Sequence, residues 1–339
     1  MAVTGRFAGT SGGVMRGLGI AAVVAQGGIA VTGSVVRVTG SGLGCPTWPE
    51  CFPGSLVPEP HPEVAALTQW IEFGNRLLTF VVVLVAGACL LAALNTRPHR
   101  PRLTRLATVQ PLGVVAQAVL GGILVRTGLA WWTVAIHFMV SMVLVWLAVQ
   151  LVEAATDGDG PPRPVVGGPV RGLVATATVV LAGLLVAGTF VTAAGPHAGD
   201  AATPRLGVGV PTVAALHAHL LFAYLGLLVG LGFALVAVSA PRRLRRRYAA
   251  LVAVVGAQGA LGGVQYALGV PEVLVALHVL GAALVTVGAA AVWAGTVERP
   301  ASPDTASAVS AGPGTPSRAP SRPREAHPDA QPAGHRASR

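Results

Sequence analysis

The hydrophobic residues of this chain are gathered into eight runs, each long enough to cross a membrane as a helix. Their approximate bounds are 15–36, 68–94, 105–126, 132–154, 172–194, 212–238, 248–268 and 273–296. A helix of about 20 apolar residues spans the hydrocarbon core of a bilayer, and a water-soluble domain would not need so many such runs. The pattern therefore predicts an all-α integral membrane protein with eight transmembrane helices.

The distribution of charge adds an orientation. Of the 339 residues 53% are hydrophobic and 11% charged, and the net charge of +10 comes with no lysine at all. The arginines do not indicate nucleic-acid binding, because most of them cluster next to spans, as topology alone requires. If both termini are cytoplasmic, these clusters all fall on the cytoplasmic side: Arg6, Arg16, Arg97, Arg100, Arg102, Arg105, Arg242, Arg243, Arg245, Arg246 and Arg247. We therefore expect a multi-pass cell-membrane protein whose loop at 37–67 is extracytoplasmic.

An internal repeat divides the spans into two sets. The segment AQAVLGGILV at 116–125 resembles AQGALGGVQY at 257–266, and the same offset of 141 residues relates His137 to His278. The third and fourth spans are thus echoed by the seventh and eighth. The repeat predicts two tandem, pseudo-symmetric four-helix bundles, each with an equivalent site in its core.

This division gives the domain organisation. The N-terminal half is expected over 1–154, a cytoplasmic linker over 155–171 and the C-terminal half over 172–296. The first 17 residues resemble the charged region of a signal peptide, but no small-residue cleavage site follows, so we assign them to the first span. Residues 297–339 are rich in Pro, Ala, Ser, Arg and Asp, which predicts a disordered cytoplasmic tail.

Histidines inside the spans are the first candidates for chemistry. His137 and His278 each lie five or six residues inside their span. An imidazole in hydrocarbon needs a partner, which is either a hydrogen bond to another helix or a metal such as haem iron. Because the repeat relates the two histidines, we favour iron ligation.

A second ligand in the C-terminal half is expected from the sixth span. His217 and His219 are the candidates, and since they are two residues apart, about 200° of helical rotation separates them and only one can face the iron. We prefer His217, with His219 as the reserve. In the N-terminal half the repeat offset relates Asn75 to Leu216, and a one-residue shift relates it to His217; Asn75 is a much weaker iron ligand.

The loop after the first span carries the remaining candidates. Cys45 and Cys51 lie on the expected oxidising side, which predicts a disulfide that either staples the loop or exchanges with a thiol partner. Glu72, an ionisable group at the membrane edge, is a candidate catalytic residue, and its plain alternative is a carboxylate paired with Arg76. Several arginines near the outer ends of spans are expected either to bind porphyrin propionates or to anchor helices at headgroups: Arg37, Arg76, Arg126 and Arg205.

Together these motifs resemble the haem A synthase family. The resemblance covers residues 15–296 and rests on VTGSGLGCPTWPEC, IEFGNR, GPHAGD at 195–200 and the three histidines at their spans. It implies an enzyme that oxidises a methyl group of haem O to the formyl group of haem A with oxygen from water, for cytochrome oxidase. It also implies haem O synthase and cytochrome oxidase assembly proteins as partners, while homo-oligomerisation stays open.

The resemblance also implies roles for individual residues. His217 and His278 match the axial ligands of a haem b cofactor, and His137 matches a ligand of the substrate haem. Glu72 matches a carboxylate implicated in catalysis, and Cys45 and Cys51 match the loop pair. The departure is Asn75, where family members with four histidines have His.

Two other functions fit part of the pattern. A di-haem electron-transfer protein would explain the histidines, but it does not require the cysteine loop or Glu72 and it predicts two complete ligand pairs. A transporter would explain the repeat, yet the repeat is parallel and its spans lack clear interruptions.

Overall fold

Eight long apolar helices form the described part of the chain. The computed structural model describes residues 10–300, and all eight helices are long and apolar enough to cross a membrane. They are α1 (Gly12–Val38), α2 (Ala66–Leu94), α3 (Pro101–Arg126), α4 (Trp131–Thr156), α5 (Gly168–Ala194), α6 (Val210–Ala237), α7 (Arg242–Ala267) and α8 (Glu272–Ala294). The prediction of an all-α membrane protein with eight spans is confirmed. Residues 1–9 of the signal-like stretch and 301–339 of the predicted tail lie outside the described residues.

All eight helices begin earlier than hydrophobicity predicts, by one to six residues. Helix α3 begins at Pro101 rather than near residue 105, and α7 begins at Arg242 rather than near 248. Proline fits the first turn of a helix, where its missing N–H is not needed, and arginine is a good helix former. Hydrophobicity therefore marks the part of each helix inside the bilayer, while the helix itself extends further.

The first bundle is a closed ring of four helices. Helix α1 packs on α2 and α4, and α3 packs on the same two helices. Its core at one end contains Met15, Leu103 and Leu151 with the buried thiol of Cys89. Small residues allow the closest approach, since a Cβ on Gly19 of α1 would lie 3.0 Å from the side chain of Val152 on α4.

The second bundle is built from two helix pairs. Helix α5 packs along α6 and α7 along α8, whereas α6 touches α7, and α5 touches α8, over short stretches only. Tyr224, Leu228 and Leu231 of α6 are almost fully buried in its core. Helices α1 and α4 pack on α8, which joins the two bundles side by side. The predicted tandem arrangement is confirmed, but the second ring is looser than the first.

At the end that holds most of the arginines, which we call the arginine-rich end, ion pairs connect the bundles. The carboxylate of Glu153 on α4 accepts hydrogen bonds from Arg247 at 2.5 Å and Arg243 at 3.0 Å, both on α7. Arg100 donates to the carboxylate of Asp159 at 3.1 Å. Burial raises the pKa of the nearby Asp157 carboxyl, and the charge of Glu153 adds to this shift. Charges that the sequence explains by topology thus also hold the helices together.

A two-stranded sheet closes the same end. Strand β1 (Arg163–Pro164), in the predicted linker, pairs antiparallel with β2 (Val297–Glu298). The amide of Gly158 also donates to the Arg299 carbonyl at 2.8 Å. Residues 297–300, which the sequence assigns to the tail, are therefore held by backbone hydrogen bonds that composition does not reveal.

We expect Glu153→Gln to lower the stability of the purified protein by about 2 kcal/mol, because it leaves the buried guanidinium of Arg247 without a charged partner. The loss should be smaller than for a fully buried pair, since Arg243 is mostly exposed. Thermal denaturation in detergent, followed by thiol labelling of the buried Cys89, measures it. The control is Glu272→Gln at the exposed start of α8, and equal stability of the two variants would contradict the prediction.

Candidate functional site

The loop between α1 and α2 is closed by a disulfide and packed against α2. Cys45 and Cys51 are bonded and both are fully buried, which confirms the predicted disulfide. Phe52 packs beside them, and Phe73 of α2 contacts this small cluster. Gly44 passes so close to α2 that a Cβ there would lie 2.9 Å from the Gln69 backbone nitrogen. No side chain fits at this position, so the loop can follow the helix closely.

A buried ion pair holds this loop in place. Glu72 accepts a hydrogen bond from the Cys45 amide at 2.7 Å, and its other oxygen accepts from the Arg76 guanidinium at 2.5 Å. Arg76 in turn donates to three loop carbonyls, those of Cys45 at 2.8 Å, Thr47 at 3.0 Å and Glu50 at 3.2 Å. The pairing of Glu72 with Arg76 is the plain alternative that the sequence left open.

The charges of Glu72 and Arg76 are balanced by each other and by hydrogen bonds to the loop backbone. The Glu72 side chain is 8% exposed and that of Arg76 21%, so solvent screens their attraction only weakly. Each carboxylate oxygen has at least one donor, and all three guanidinium nitrogens have acceptors. The two opposite charges therefore lie at this end of the first bundle with every charged atom hydrogen-bonded.

Trp48 packs the loop against α3, next to the residue that faces His137. A Cβ on Gly122 of α3 would lie 2.7 Å from the Trp48 ring, so the indole rests directly on the backbone of this helix. The preceding Gly121 faces the ring of His137 on α4, with 3.8 Å between its Cβ position and the His137 Cε1. The disulfide loop and His137 thus pack against successive residues of α3. In the second bundle, Gly263 is related to Gly122 by the repeat and has open space instead.

The Asn75 side chain hydrogen-bonds to the neighbouring helix α1. Its side-chain oxygen accepts a hydrogen bond from the hydroxyl of Thr32 on α1 at 2.7 Å. This bond ties α1 to α2. Asn75 is therefore already engaged in a polar contact within the bundle.

In the second bundle the structure brings His217 and His278 together. Their ring centroids are 6.4 Å apart and their planes are inclined by 57°. The Nδ1 atom of His217 lies 3.0 Å from the Leu184 carbonyl on α5, which leaves Nε2 free. His219, the reserve, lies on an exposed face of α6. The two-residue spacing thus separates one inward histidine from one outward histidine.

The geometry of this pair fits a haem iron. Two metal–nitrogen bonds of about 2 Å, with the radius of each imidazole added, give a centroid separation of about 6 Å. Glycines stand behind both rings, since a Cβ on Gly188 would lie 3.1 Å from His217 and one on Gly262 would lie 3.0 Å from His278. The Nδ1 atom of His278 is buried and has no hydrogen-bond partner among residues 10–300. A metal at Nε2 and an acceptor at Nδ1 would satisfy this ring.

Several polar side chains of the site were missed by the sequence analysis. Gln117 and Gln258 contact the backbone at His137 and His278, and Thr32 contacts Asn75. The glutamines stand in the repeated AQ dipeptide, so the repeat contained the signal that could have found them. Nothing in the sequence indicated a role for Thr32, because a single threonine in an apolar span is common.

The outer arginines bind backbone carbonyls. Arg37 donates to Thr192 at 2.7 Å, Arg126 to Trp48 at 3.4 Å, and Arg205 to Pro196. Within the described range none of the three forms an ion pair. Since Arg37 belongs to α1 and Thr192 to α5, this contact also joins the two bundles at the disulfide end.

Comparison with known proteins adds a family. A family model described as "Cytochrome oxidase assembly protein" matches residues 16–205. Among curated proteins, the chain is 28% identical over 136 residues to a heme A synthase of Geobacillus kaustophilus, covering 40% of this chain and 41% of that protein. It is 33% identical over 153 residues to a heme A synthase of Lysinibacillus sphaericus, covering 43% and 48%. The matches thus span less than half the length of these relatives.

We expect Arg76→Met to loosen the disulfide loop, because it removes the donor to three loop carbonyls and leaves Glu72 unpaired. Local opening should become easier by about 2 kcal/mol, which is roughly a 30-fold faster reduction of Cys45–Cys51 by dithiothreitol. Mass spectrometry of alkylated protein measures this rate. Arg126→Met, which removes only one long hydrogen bond to the loop, is the matched control, and equal rates in both variants would refute the clamp.

Proposed function

This chain belongs to the Cytochrome oxidase assembly protein family, and we propose that it is a haem A synthase, which oxidises a methyl group of haem O to the formyl group of haem A. The single observation that carries the proposal is the contrast between the bundles. One has two histidine rings at the spacing of an iron site, and the other has a single histidine within its helices, together with a disulfide loop and a buried carboxylate in the same half. A resident cofactor and an exchangeable substrate need such different sites.

The second bundle is proposed to hold haem b between His217 and His278. A haem bound there would supply one-electron redox chemistry. The chain contributes the two imidazoles, and Leu184 fixes the His217 ring through its carbonyl. Gly188 and Gly262 leave space behind the rings, and the short contact between α6 and α7 supports the idea that a large planar group enters between them.

The first bundle is proposed to bind haem O through His137 alone. The Asn75 side chain is engaged with Thr32, which supports a single strong axial ligand in this half. Weak attachment suits a substrate that must enter, react and leave, because binding the substrate more tightly than the transition state gains no rate. Arg76 is assigned to the same site as the partner of Glu72 at its lip.

The proposed reaction removes protons and electrons from the substrate, and residues of this chain are proposed to assist with charge and proton transfer. Converting the methyl group and one water to a formyl group releases four protons and four electrons. Glu72 is proposed as the catalytic carboxylate, which stabilises positive charge on the reacting carbon or accepts a proton from the attacking water. Arg76 and the Cys45 amide hold the carboxylate in a fixed orientation, which supports a preorganised role.

The topology proposed from arginine places both termini in the cytoplasm and the disulfide loop outside. The N-terminal half at 1–154 would then present its haem site to the outer leaflet, and the C-terminal half at 172–296 would do the same. Haem O synthase is the expected supplier of substrate, and cytochrome oxidase assembly proteins are the expected recipients of haem A. The tail at 297–339 has no assigned role.

The direct test is to extract haems from membranes of a host that makes haem O, with and without this protein. Haem A should form only with the intact protein, and His137→Ala should lower its yield at least tenfold while the haem b signal persists. Chromatography of the extracted haems measures both. If haem O stays unchanged while the protein carries two low-spin haems, the electron-transfer alternative replaces the synthase.

A second test uses neighbouring glycines of α7. We expect Gly262→Ala to reduce haem b bound per protein roughly tenfold, because its Cβ would lie 3.0 Å from the His278 ring and displace this ligand. Gly263→Ala, which has nothing within 4 Å of its Cβ position, should bind haem b as the parent does. The absorbance of reduced protein measures occupancy, and equal occupancy in both variants would remove His278 from the site.

A further inference from the structure

Two glutamines related by the repeat make the same contact in both bundles. Gln117 on α3 donates from Nε2 to the His137 carbonyl at 3.2 Å, and Gln258 on α7 donates from Nε2 to the His278 carbonyl at 2.9 Å. The repeat that relates the histidines therefore relates their glutamine neighbours as well.

In each bundle, the side-chain oxygen of the glutamine and the Nδ1 atom of its histidine are left without a hydrogen-bond partner among the described residues. Across the described residues, the Oε1 atoms of Gln117 and Gln258 are buried without a hydrogen-bond partner, and so are the Nδ1 atoms of His137 and His278. A buried polar atom without a partner costs about 1–3 kcal/mol. That both atoms of each pair are unpaired, in both bundles, indicates a missing interaction rather than a local accident.

In the second bundle, both unpaired atoms lie at the contact between α7 and α8. Gly262 lies one turn after Gln258 on α7, so both occupy one face of the helix. A Cβ on Gly262 would lie 3.6 Å from the His278 Nδ1, which shows that this side of the ring is turned toward α7. In the first bundle Gly121 holds the equivalent place, one turn after Gln117 and against the His137 ring.

The backbone around Gln258 is shaped for its amide. A Cβ on Gly281 of α8 would collide with the Gln258 Oε1, so only glycine lets the amide lie against α8. In the first bundle Val140 stands at the related position, and Gln117 instead donates to the Ser141 hydroxyl at 2.5 Å. The glutamine is therefore accommodated in each bundle by a different local solution.

Metal-bound histidines usually donate their second ring N–H to an acceptor, which fixes the tautomer and makes the ring a stronger ligand. His217 has such an acceptor in the Leu184 carbonyl at 3.0 Å. Among residues 10–300, the Nδ1 atoms of His278 and His137 have none, although the facing helix carries a glutamine oxygen without a partner.

We propose that Gln258 and Gln117 are positioning residues that accept the Nδ1–H of His278 and His137 and thereby keep Nε2 available for iron. This inference rests on the proposed function, because it presupposes that both histidines bind haem. A neutral amide is suited to the task, since an acidic partner would add a charge inside the membrane. The same amide, through Nε2, ties the two helices together at the ligand itself.

The test uses the full chain with its bound haem b and replaces Gln258 by Met, which has similar length and no acceptor. We expect Gln258→Met to shift the midpoint potential and the low-spin electron paramagnetic resonance signal of haem b. Haem should also transfer about tenfold faster to an excess of a haem-scavenging apoprotein. Gln258→Glu, whose protonated carboxyl keeps an acceptor, should restore the parent signal.

A matched control separates this role from general helix packing. Gln150 on α4 donates to the Ala290 carbonyl on α8 at 3.2 Å, which is the same kind of tie remote from the histidines. Gln150→Met should leave the haem b potential and spectrum unchanged. Gly281→Ala, which displaces the Gln258 amide while keeping both Gln258 and His278, is the second variant if Gln258→Met does not fold, and it should shift both signals.

The outcomes are distinct. If Gln258→Met or Gly281→Ala carries haem b with the parent potential and spectrum, the positioning role is wrong, whatever the enzyme does. If the parent protein binds no haem at all, the proposed function itself fails.

Discussion

The structure depends on the rule that a polar group inside hydrocarbon must find a partner. The buried ion pair of Glu72 and Arg76 shows how it is met in the first bundle. Neither residue finds its partners on α2 alone, since the carboxylate takes the Cys45 amide and the guanidinium takes three loop carbonyls. The disulfide loop therefore folds onto the helix because the ion pair needs it, and the loop in turn brings Trp48 to α3. The way the disulfide loop packs at this end of the first bundle therefore depends on this one ion pair.

The two bundles solve the same problem differently. The first is a closed ring with a polar loop over one end, whereas the second is two helix pairs in short contact. In the second bundle the polar groups are the neighbouring rings of His217 and His278, and among residues 10–300 nothing lies within 4 Å of a Cβ at Gly263, the residue related to Gly122. A repeated sequence has thus produced one half with a loop residue packed on its third helix and one half with two histidine rings close together.

Much of this could be read from the sequence, for identifiable physical reasons. Hydrophobicity located the eight spans because lipid imposes length and composition on a helix, and the repeat predicted the tandem bundles. The pairing of Cys45 with Cys51 followed from their expected place on the oxidising side of the membrane and from their being two of only three cysteines. The preference for His217 over His219 followed from helical rotation, and the structure places these residues on inward and exposed faces. What escaped prediction were contacts to the backbone, such as those of Arg76, β2 and the two glutamines, because the path of a loop or the partner of a carbonyl is not written in residue type.

The way Arg76 holds the disulfide loop has a consequence for how this region can change. Its guanidinium donates to the carbonyls of Cys45, Thr47 and Glu50, and the Glu72 carboxylate accepts from a backbone amide. The clamp thus recognises the course of the main chain and ignores the identity of the side chains. Apart from the cysteines, the closely packed Gly42 and Gly44, and the packed rings of Trp48 and Phe52, the loop can exchange residues without losing this attachment. An anchor of this kind lets the surface above a buried site diversify while the site beneath keeps its shape.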